Sequence, residues 1–238
     1  MAKTTQSSSR VLVIDVGGNN VKMRLGRREQ IRKFGSGRKL DAQRMVEKVR
    51  AMTADWLYDA VSIGYPGLVL LGKPAAEPYY LADGWVGFDY SAAFERPVKL
   101  INDAAMQAIG SYAGGRMLFL GLGTGLGATL IIDQLVQPLE LGHLPYRGGR
   151  THEECVNESA RERLGMKKWR AAVAEMVEHL ASILEVDSIV LGGGNAKRLQ
   201  KLPAKAQRGD NRYAFVGGLR LWRSKEFLIC GAGQASEI

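Results

Sequence analysis

The sequence predicts an α/β fold made of two lobes that face each other across a cleft. The main reason is an internal repeat: residues 11–25 and residues 117–132 both have the pattern of an apolar strand, a glycine-rich turn and a second strand. A second reason is that short apolar strands alternate along the chain with segments of helical periodicity, the pattern of sheets covered by helices. A length of 238 residues suits one large domain or two such lobes.

Seven short apolar segments are predicted to be strands. Residues 11–14 are continuously apolar, as in a buried strand, whereas residues 21–25 alternate between apolar and polar side chains. The turn between them contains Gly-Gly-Asn, which favours a β-hairpin. The predicted strands are 11–14, 21–25, 60–64, 98–101, 117–120, 128–132 and 188–191.

Three segments have the spacing of amphipathic helices, and we predict helices over 41–56, 104–112 and 167–185. In the first helix, Met45, Val49 and Trp56 share one face, and Asp41 is the expected N-cap.

The expected division of the chain is a flexible tail over 1–10, an N-terminal lobe over 11–103 and a C-terminal lobe over 104–238. The last helix is expected to pack back on the N-terminal lobe. We find no linker that would separate independent domains and no low-complexity segment.

The sequence favours a cytoplasmic protein. No stretch approaches the roughly 20 apolar residues of a membrane helix, and the polar N-terminus does not resemble a secretory signal. We therefore expect no membrane partner. Cys155 and Cys230 lie in no metal-ligand pattern, so a structural zinc site is not expected.

The charge balance is strongly basic. Lys and Arg total 33 against 24 Asp and Glu, a formal net charge of +9. Such an excess attracts polyanions, which include nucleic acid, anionic surfaces and polyphosphate. A solvated surface rich in Lys and Arg explains the same numbers, and charge alone does not separate these interpretations.

Three glycine clusters each follow an apolar strand: 17–18, 121–127 and 192–194. Glycine lets backbone N–H groups converge on phosphate oxygens, although tight hairpins also need glycine. None of the three has the Gly-Lys-Ser/Thr ending of a P-loop. The second cluster is followed by a strand and not by the helix of a dinucleotide-binding fold.

Two polar segments are candidates for binding and catalysis. Asn102-Asp103 lies where a strand ends and a helix begins, so Asp103 is either an N-cap or a base that accepts a hydroxyl proton during phosphoryl transfer. Glu140 and His143 are spaced so that both could hydrogen-bond sugar hydroxyls, and they could equally be surface residues of a loop.

Together these segments resemble the ROK family of sugar kinases and regulators, and most of all its polyphosphate-dependent glucokinases. Six motifs occur in the family's order and span most of the chain. They are Asp15-Val16-Gly17-Gly18, Gly64-Tyr65-Pro66-Gly67, Asn102-Asp103-Ala104, Leu120 to Gly127, Glu140-Leu141-Gly142-His143 and Leu191 to Gly194. The resemblance implies an actin-like, ribonuclease H-like fold with a cleft between two lobes, and a homodimer.

The resemblance also implies roles for individual residues. Asp103 would be the general base on the sugar hydroxyl, and Asp15 would help to place Mg²⁺. The residues implied in sugar binding are Gly67, Asn102, Glu140, His143 and Glu153, with Glu154 as an alternative to the last. The residues implied in binding the donor phosphates or the nucleotide are Asp15, Gly17, Gly18, Asn19, Lys22, Gly123, Thr124, Gly125, Gly193 and Gly194.

Two departures from the family pattern stand out. Many ROK proteins have a cysteine-rich zinc motif after the Glu-x-Gly-His segment, whereas residues 148–155 of this chain contain one cysteine, Cys155. The polyphosphate glucokinases also lack that motif, as this chain does. The second departure is Asn19, where the family usually has Ser or Thr, and the missing hydroxyl puts activity in question.

The resemblance implies polyphosphate as the phosphoryl donor, with ATP as an alternative. A long polyanion suits a track of cations, for which residues 161–170 and 197–208 are candidates. Three alternatives remain: a sugar-sensing regulator, a nucleic-acid-binding protein and a kinase homologue that binds sugar without turnover. The first strand begins too early for a preceding DNA-binding domain, and we expect no nucleic acid partner.

Overall fold

The computed structural model describes residues 10–223 and 226–230, so the tail predicted over 1–10 lies outside the described residues apart from Arg10. The elements up to residue 111 are β1 (Val11–Val16), β2 (Asn20–Leu25), β3 (Ile31–Gly35), α1 (Ala42–Met52), β4 (Ala60–Tyr65), β5 (Val69–Leu70), β6 (Lys73–Pro74), α2 (Tyr90–Phe94), β7 (Val98–Asn102) and α3 (Asp103–Ser111).

The rest of the described chain begins with a long hairpin formed by β8 and β9. The elements from residue 116 onward are β8 (Arg116–Leu122), β9 (Leu126–Ile132), β10 (Leu135–Leu139), a 3₁₀ turn (Leu141–His143), β11 (Pro145–Arg147), β12 (Arg150–Thr151), α4 (His152–Val156), α5 (Glu158–Leu184), β13 (Ser188–Gly192), a second 3₁₀ turn (Ala196–Arg198), β14 (Ala206–Arg208), α6 (Tyr213–Arg220) and β15 (Leu228–Ile229). None of the helices in these described ranges is long and apolar enough to cross a membrane.

Two large mixed sheets share one topology. The first has the strand order β3-β2-β1-β4-β7, and the second has the order β10-β9-β8-β13-β14, with β15 added beside β10. In each sheet an antiparallel meander of three strands is followed by two parallel strands. The internal repeat that the two hairpins indicated therefore extends over both sheets, and the predicted α/β class is confirmed.

Helices cover both faces of both sheets. α1 packs through Met45 on the outer face of the first sheet, and α5 packs through Trp169 on the outer face of the second sheet. α3 and α6 lie between the sheets, in one core with Val13 and Phe119. Because helices lie on both sides, every residue of β1 and β4 is buried, including the polar residues Asp15 and Ser62.

The contact between α3 and α6 depends on two glycines. A methyl group at Gly110 would lie 1.9 Å from the Tyr213 carbonyl oxygen, and a methyl group at Gly217 would lie 1.8 Å from the Met106 carbonyl oxygen. α6 also contacts β1 and β4, where the Ser62 hydroxyl donates to the Gly218 carbonyl at 2.7 Å. The helix that begins with Asp103 is thus held against both sheets.

Two predicted helix boundaries are wrong. The first helix ends at Met52 and not at residue 56, because the Thr53 hydroxyl donates to the Val49 carbonyl and Trp56 lies in the following turn, where it is still buried. The last predicted helix begins at Glu158 and not at residue 167. It bends at Gly165, whose φ of 72° is outside the helical region.

Candidate active site

The two glycine-rich turns face each other. One turn joins β1 to β2 and the other joins β8 to β9, as the repeat predicted. A methyl group at Gly18 would lie 3.8 Å from the Thr124 hydroxyl oxygen, and the Asn19 side-chain amide donates to that oxygen at 3.5 Å. Residues from the two sheets therefore come together at one place. Asn19 contributes an amide where the resemblance implied a hydroxyl.

Asp15 lies on β1 just before the first turn. It is 5% exposed, and the Lys22 ammonium group lies 3.5 Å from its carboxylate, because the two residues are register partners on β1 and β2. Burial raises the pKa of the Asp15 carboxyl, and the charge of Lys22 opposes this rise.

Asn102 caps α3 and also holds a neighbouring loop. Its side-chain oxygen accepts from the Ala105 backbone N–H at 3.1 Å, and its side-chain amide donates to the Gly67 carbonyl at 3.1 Å. The N-cap role considered for Asp103 is thus wrong: Asp103 is the first residue of the helix, and its Oδ1 accepts from the Ala104 N–H at 2.8 Å. The cap at Asn102 leaves Asp103 available for chemistry.

The electrostatic setting of Asp103 is unusual for a carboxylate. Loss of hydration raises its pKa to about 7, and the negative charges of Asp15 and Glu140 add to the rise. The second hairpin lies against the same helix end, since a methyl group at Gly127 would lie 2.8 Å from the Ala104 Cβ. Asp103 therefore lies beside both turns, with a pKa near that of a base working at neutral pH.

Glu153 and Glu154 have different surroundings, which settles which of the two faces the second turn. The Glu153 carboxylate accepts from the Leu126 N–H at 2.8 Å, and a methyl group at Gly125 would lie 2.8 Å from the same carboxylate oxygen. Glu154 instead forms a capping box with Thr151 at the start of α4. Glu153, the residue preferred from the sequence, is thus the one that lies at the turn.

Glu140 and His143 lie at the edge of this region on the first 3₁₀ turn. Their side chains are 59% and 71% exposed, and His143 Nδ1 is 3.8 Å from the Glu140 carboxylate. The charge of Glu140 contributes to the raised pKa of Asp103, so the two carboxylates lie near each other. Both residues present their polar groups to solvent.

The third glycine cluster, residues 192–194, packs against Leu122 at the start of the second turn. Gly193 has a φ of 81°, and a methyl group there would lie 2.4 Å from the Leu122 carbonyl oxygen. The buried Asn195 donates its backbone N–H to the same carbonyl at 2.9 Å. No other atom lies within 4 Å of a methyl group built on Gly194, so backbone is exposed there.

A polar network links this third cluster to α5. The Asn195 side-chain amide donates to Glu158 at 2.7 Å, and Arg198 donates to the Asn195 side-chain oxygen at 3.0 Å. Arg161 is paired with the other oxygen of Glu158, and the Glu158 N–H donates to the Gly123 carbonyl at 3.1 Å. Two guanidinium groups thus belong to a network that starts at the second turn.

Sequence reasoning missed Tyr80, Ser36 and the Glu158–Asn195 pair. A methyl group at Gly18 would lie 3.7 Å from the Tyr80 Cβ, and both burial and the charge of Glu153 raise the pKa of the Tyr80 phenol. Ser36 donates to the Gly17 carbonyl at 2.6 Å and so supports the first turn. These residues lie in irregular segments or reach the site through tertiary contacts, and no periodic pattern marks them.

The residues near Asp15 fit the Mg²⁺ that the resemblance implies. Asp15 and Asp103 are two carboxylates close enough to perturb each other, and Lys22 is the cation paired with Asp15. Mg²⁺ is commonly held by one or two carboxylates together with substrate phosphates, and it would relieve their repulsion. The described residues contain no group of three or more metal-ligating side chains that would hold an ion unaided.

A cavity of about 1060 Å³ lies beside β7, lined also by residues after α6 such as Trp222 and Phe227. It shares Asn102 with the region above, whereas neither Asp15, Asp103 nor Glu153 lines it. The candidate active site is therefore the region where the carboxylates and the glycine-rich turns converge, and not the cavity beside β7.

Comparison with solved structures identifies the fold. No protein-family profile matches the sequence, and no curated protein matches it. An inorganic polyphosphate/ATP-glucomannokinase from Arthrobacter sp. strain KM superposes with a TM-score of 0.78 at 23% identity, over 90% of this chain and 98% of that one. A ROK family glucokinase from Streptomyces griseus, solved with glucose and AMPPNP, gives a TM-score of 0.73 at 16% identity, over 89% and 98%.

A ROK family transcriptional regulator, a homologue of the E. coli MLC protein, gives a TM-score of 0.65 at 15% identity, over 92% of this chain and 78% of that one. Kinases and a regulator thus share this architecture. The chain has the actin-like fold of the ROK sugar kinases, as its motifs indicated.

Proposed function

We propose that this chain is a kinase that transfers a phosphoryl group from inorganic polyphosphate, or from ATP, to the 6-hydroxyl of glucose. The observation that carries the proposal is Asp103, a carboxylate with a pKa of about 7 beside two facing glycine-rich turns. A base with that pKa is largely deprotonated just above neutral pH and still binds a proton well, which suits the removal of a hydroxyl proton.

The proposed sugar site is built around Asn102. The Asn102 amide, the half-buried loop at Gly67 and the Glu153 carboxylate would supply the groups that bind the sugar beside Asp103. Glu140 and His143 would close around the sugar from the edge. Carboxylates, an amide and an imidazole together supply the donors and acceptors that a ring of hydroxyls requires.

In the proposed reaction the sugar O6–H bond breaks as its proton passes to the Asp103 carboxylate. The O6 oxygen forms a bond to the terminal phosphorus of the donor, and the bond from that phosphorus to the rest of the donor breaks. The leaving group keeps that electron pair as a shortened polyphosphate or as ADP. Most of the rate enhancement in such a reaction comes from positioning and electrostatic stabilisation.

The backbone N–H groups of the two turns would receive the donor phosphates, since glycine permits close approach at 17–18 and 123–125. Mg²⁺ bound near Asp15 would neutralise charge on the transferring phosphoryl group. Lys22 holds Asp15 in place through their ion pair, and Tyr80 and Thr124 line the gap between the turns.

The donor is proposed from the cations next to the second turn. Arg161 and Arg198 lie in the network that begins at Gly123, and a polyphosphate chain leaving the turn would meet them. The Arthrobacter glucomannokinase, which has this fold, is described as acting with inorganic polyphosphate and ATP.

Several cations of the track expected over 161–170 and 197–208 form hydrogen bonds within the protein. Arg163, Arg170, Lys205 and Arg208 donate to the backbone carbonyls of Glu154, Arg198, Val186 and Leu199, respectively. These four cations satisfy backbone carbonyls, whereas Arg161 binds Glu158 and Glu162 and Arg198 binds Asn195 in the network beside the second turn. We therefore base the donor site on Arg161 and Arg198 and not on the whole track.

Two alternatives deserve a test. A sugar binder without turnover is favoured by Asn19, whose amide occupies the place beside Thr124 where the resemblance implied a hydroxyl. An ATP-dependent kinase for another hexose is favoured by the breadth of sugars handled within this fold, which includes a glucomannokinase and a glucokinase.

The deciding experiment is a coupled assay of sugar phosphate formation with purified protein, Mg²⁺ and a panel of glucose, mannose and N-acetylglucosamine. Each sugar is tested with polyphosphate and with ATP. We expect the highest kcat/KM with glucose and polyphosphate, and no turnover above background in Asp103→Asn. If folded protein phosphorylates none of these sugars with either donor, the kinase proposal is overturned in favour of the sugar binder.

A further inference from the structure

His152 holds the loop that carries the exposed sugar-site residues. It is the first residue of α4 and is 2% exposed. Its backbone N–H donates to the Leu144 carbonyl at 3.1 Å, and its ring Nδ1 lies 3.3 Å from the same oxygen. A carbonyl only accepts hydrogen bonds, so this contact requires a proton on Nδ1. Burial lowers the pKa of His152 and so favours the neutral ring, in which Nε2 then carries no proton.

The His152 ring is enclosed by two other aromatic rings. Its centroid is 4.4 Å from that of Tyr146 on β11 and 6.0 Å from that of His179 on α5, with the ring planes within 20° of parallel. The ring cluster, Tyr146, His152 and His179, fixes the orientation of the imidazole. Within the described part of the chain, neither His152 Nε2 nor the Tyr146 hydroxyl has a hydrogen-bond partner.

His152 connects the two halves of the proposed sugar site. Leu144, whose carbonyl it binds, directly follows His143 and the turn that begins after Glu140. On its other side His152 precedes Glu153, whose carboxylate is bound by the Leu126 N–H. The turn lies tightly against this residue, since a methyl group at Gly142 would lie 3.4 Å from the Glu153 Cβ.

We propose that His152 is a positioning residue for sugar binding: its Nδ1–H holds the Leu144 carbonyl and so sets the Glu140–His143 turn relative to Glu153. This inference rests on the proposed function, because it assigns those residues to a sugar. His152 itself is buried and does not touch the sugar. Its effect is to keep the exposed and the buried part of the site at a fixed separation.

Because His152 Nε2 has no partner among the described residues, a substitution can remove the bond to Leu144 without lowering stability, and this distinguishes a positioning role from a purely stabilising one. A buried nitrogen without a partner costs free energy, and a phenyl ring of similar shape would fill the same space without that cost. His152→Phe keeps the ring cluster and the backbone N–H bond to the Leu144 carbonyl but removes the side-chain donor to that carbonyl. His152→Asn keeps a donor near the position of Nδ1 but removes the ring. The two variants thus divide packing from hydrogen bonding.

The test measures glucose binding by calorimetry, the KM and kcat for glucose, the donor KM and the melting temperature in wild type and in both variants. His179→Phe is the control, because it changes the ring cluster without touching the Leu144 carbonyl. For His152→Phe we expect the glucose KM and Kd to rise about tenfold, from the loss of a buried hydrogen bond. We expect its kcat and donor KM to stay within about twofold and its melting temperature not to fall.

For His152→Asn we expect a glucose KM within about threefold of wild type and a lower melting temperature, because the donor stays and the ring is lost. An unchanged glucose Kd in His152→Phe would overturn the inference, as would an equal rise in His179→Phe. Glucose binding without any turnover in wild type would defeat the proposed kinase function and leave this inference standing. No binding of glucose by folded wild type would overturn the inference as well.

Discussion

At the scale of single residues, Asp103 shows how a fold raises the pKa of a carboxyl group. The residue type is ordinary, but the helix cap is provided by Asn102, partial burial removes hydration from the carboxylate, and Asp15 contributes a like charge. Each of these raises the pKa or frees the carboxylate for chemistry. The sequence placed the Asn102-Asp103 pair correctly at a strand end but could not assign the cap, because that depends on which side chain turns back to the helix N–H groups.

The raised pKa of Asp103 predicts how stability depends on pH. The native state binds the proton of Asp103 more tightly than the unfolded chain does, so stability is lost as the pH rises from the ordinary carboxyl pKa to about 7. Asp103→Asn resembles the neutral carboxyl and avoids this loss. We expect its melting temperature to match that of wild type most closely at or below about pH 4 and to exceed it by a margin that grows to a few degrees at pH 8.

Calorimetric scans of both proteins across this range check that prediction. Asp89→Asn is a suitable control, since Asp89 caps α2 in an exposed position. A melting-temperature difference between Asp103→Asn and wild type that does not change with pH would show that Asp103 carries no raised pKa.

At the scale of elements, α4 gives two neighbouring glutamates separate tasks. Glu154 caps the helix, whereas Glu153 binds the Leu126 N–H at the second turn. We expect Glu153→Gln to raise the glucose KM by about tenfold or more, because a charged acceptor is lost at the site. Glu154→Gln should leave the KM unchanged and cost at most about 1 kcal/mol of stability, as for a weakened capping box.

Steady-state kinetics and urea unfolding on the two variants test this division directly. Equal effects of both substitutions on the glucose KM would contradict the proposal that Glu153, and not Glu154, binds the sugar.

The crossing of α3 and α6 predicts a large and local effect on stability. Alanine at Gly217 would gain about 1 kcal/mol of helix propensity, but its methyl group would lie 1.8 Å from the Met106 carbonyl, which is backbone and cannot turn away. The clash should win, and we expect a net loss of about 2 kcal/mol or more in urea unfolding. Gly35→Ala, which meets no atom within 4 Å, should change stability by less than about 1 kcal/mol.

A Gly217→Ala protein as stable as wild type would contradict the close packing of α6 on the helix that carries Asp103.

Elements differ in how well the sequence predicted them. The two hairpins were predictable because strand, glycine turn and strand lie next to each other in the chain. The end of α1 was not, since Trp56 has helical spacing but is buried from a turn. The start of α5 was hidden by the bend at Gly165. Tyr80 reaches the site from an irregular segment, and Asn195 reaches it through a tertiary hydrogen bond to Glu158.

At the scale of the whole molecule, two sheets of one topology bring two similar turns together. The turn between the first two strands of each meander faces the corresponding turn of the other sheet, and the helix pair α3 and α6 fills the space between the sheets. The repeat in the sequence predicted two facing lobes of similar build, but not the helix pair between the sheets. The sequence could not predict which basic residues remain near the donor, because many of them bind backbone carbonyls.

The proposed donor site predicts a difference in salt dependence. A polyphosphate chain that reaches Arg161 and Arg198 makes more charge contacts than ATP does, so kcat/KM should fall more steeply with salt for polyphosphate. For polyphosphate, Arg198→Gln should reduce the slope of log kcat/KM against log salt concentration by about 1, the value for one lost phosphate contact. Arg44→Gln, on α1 of the other sheet, should leave that slope unchanged. Kinetics from about 50 to 300 mM salt measure both slopes. Equal slopes for the two donors, or for the two variants, would remove Arg198 from the donor site.

The most direct test of the central claim is the pH dependence of kcat for glucose phosphorylation, measured from pH 5 to 9 in wild type and Asp103→Asn. If Asp103 is the base, wild-type kcat rises with pH through a single ionisation near 7, shifted from the free-enzyme pKa only as far as bound Mg²⁺ and substrates change it. Asp103→Asn should lose about a hundredfold to ten-thousandfold in kcat and show no such limb. A wild-type profile without that limb, or an Asp103→Asn enzyme within about tenfold of wild type, would contradict the account.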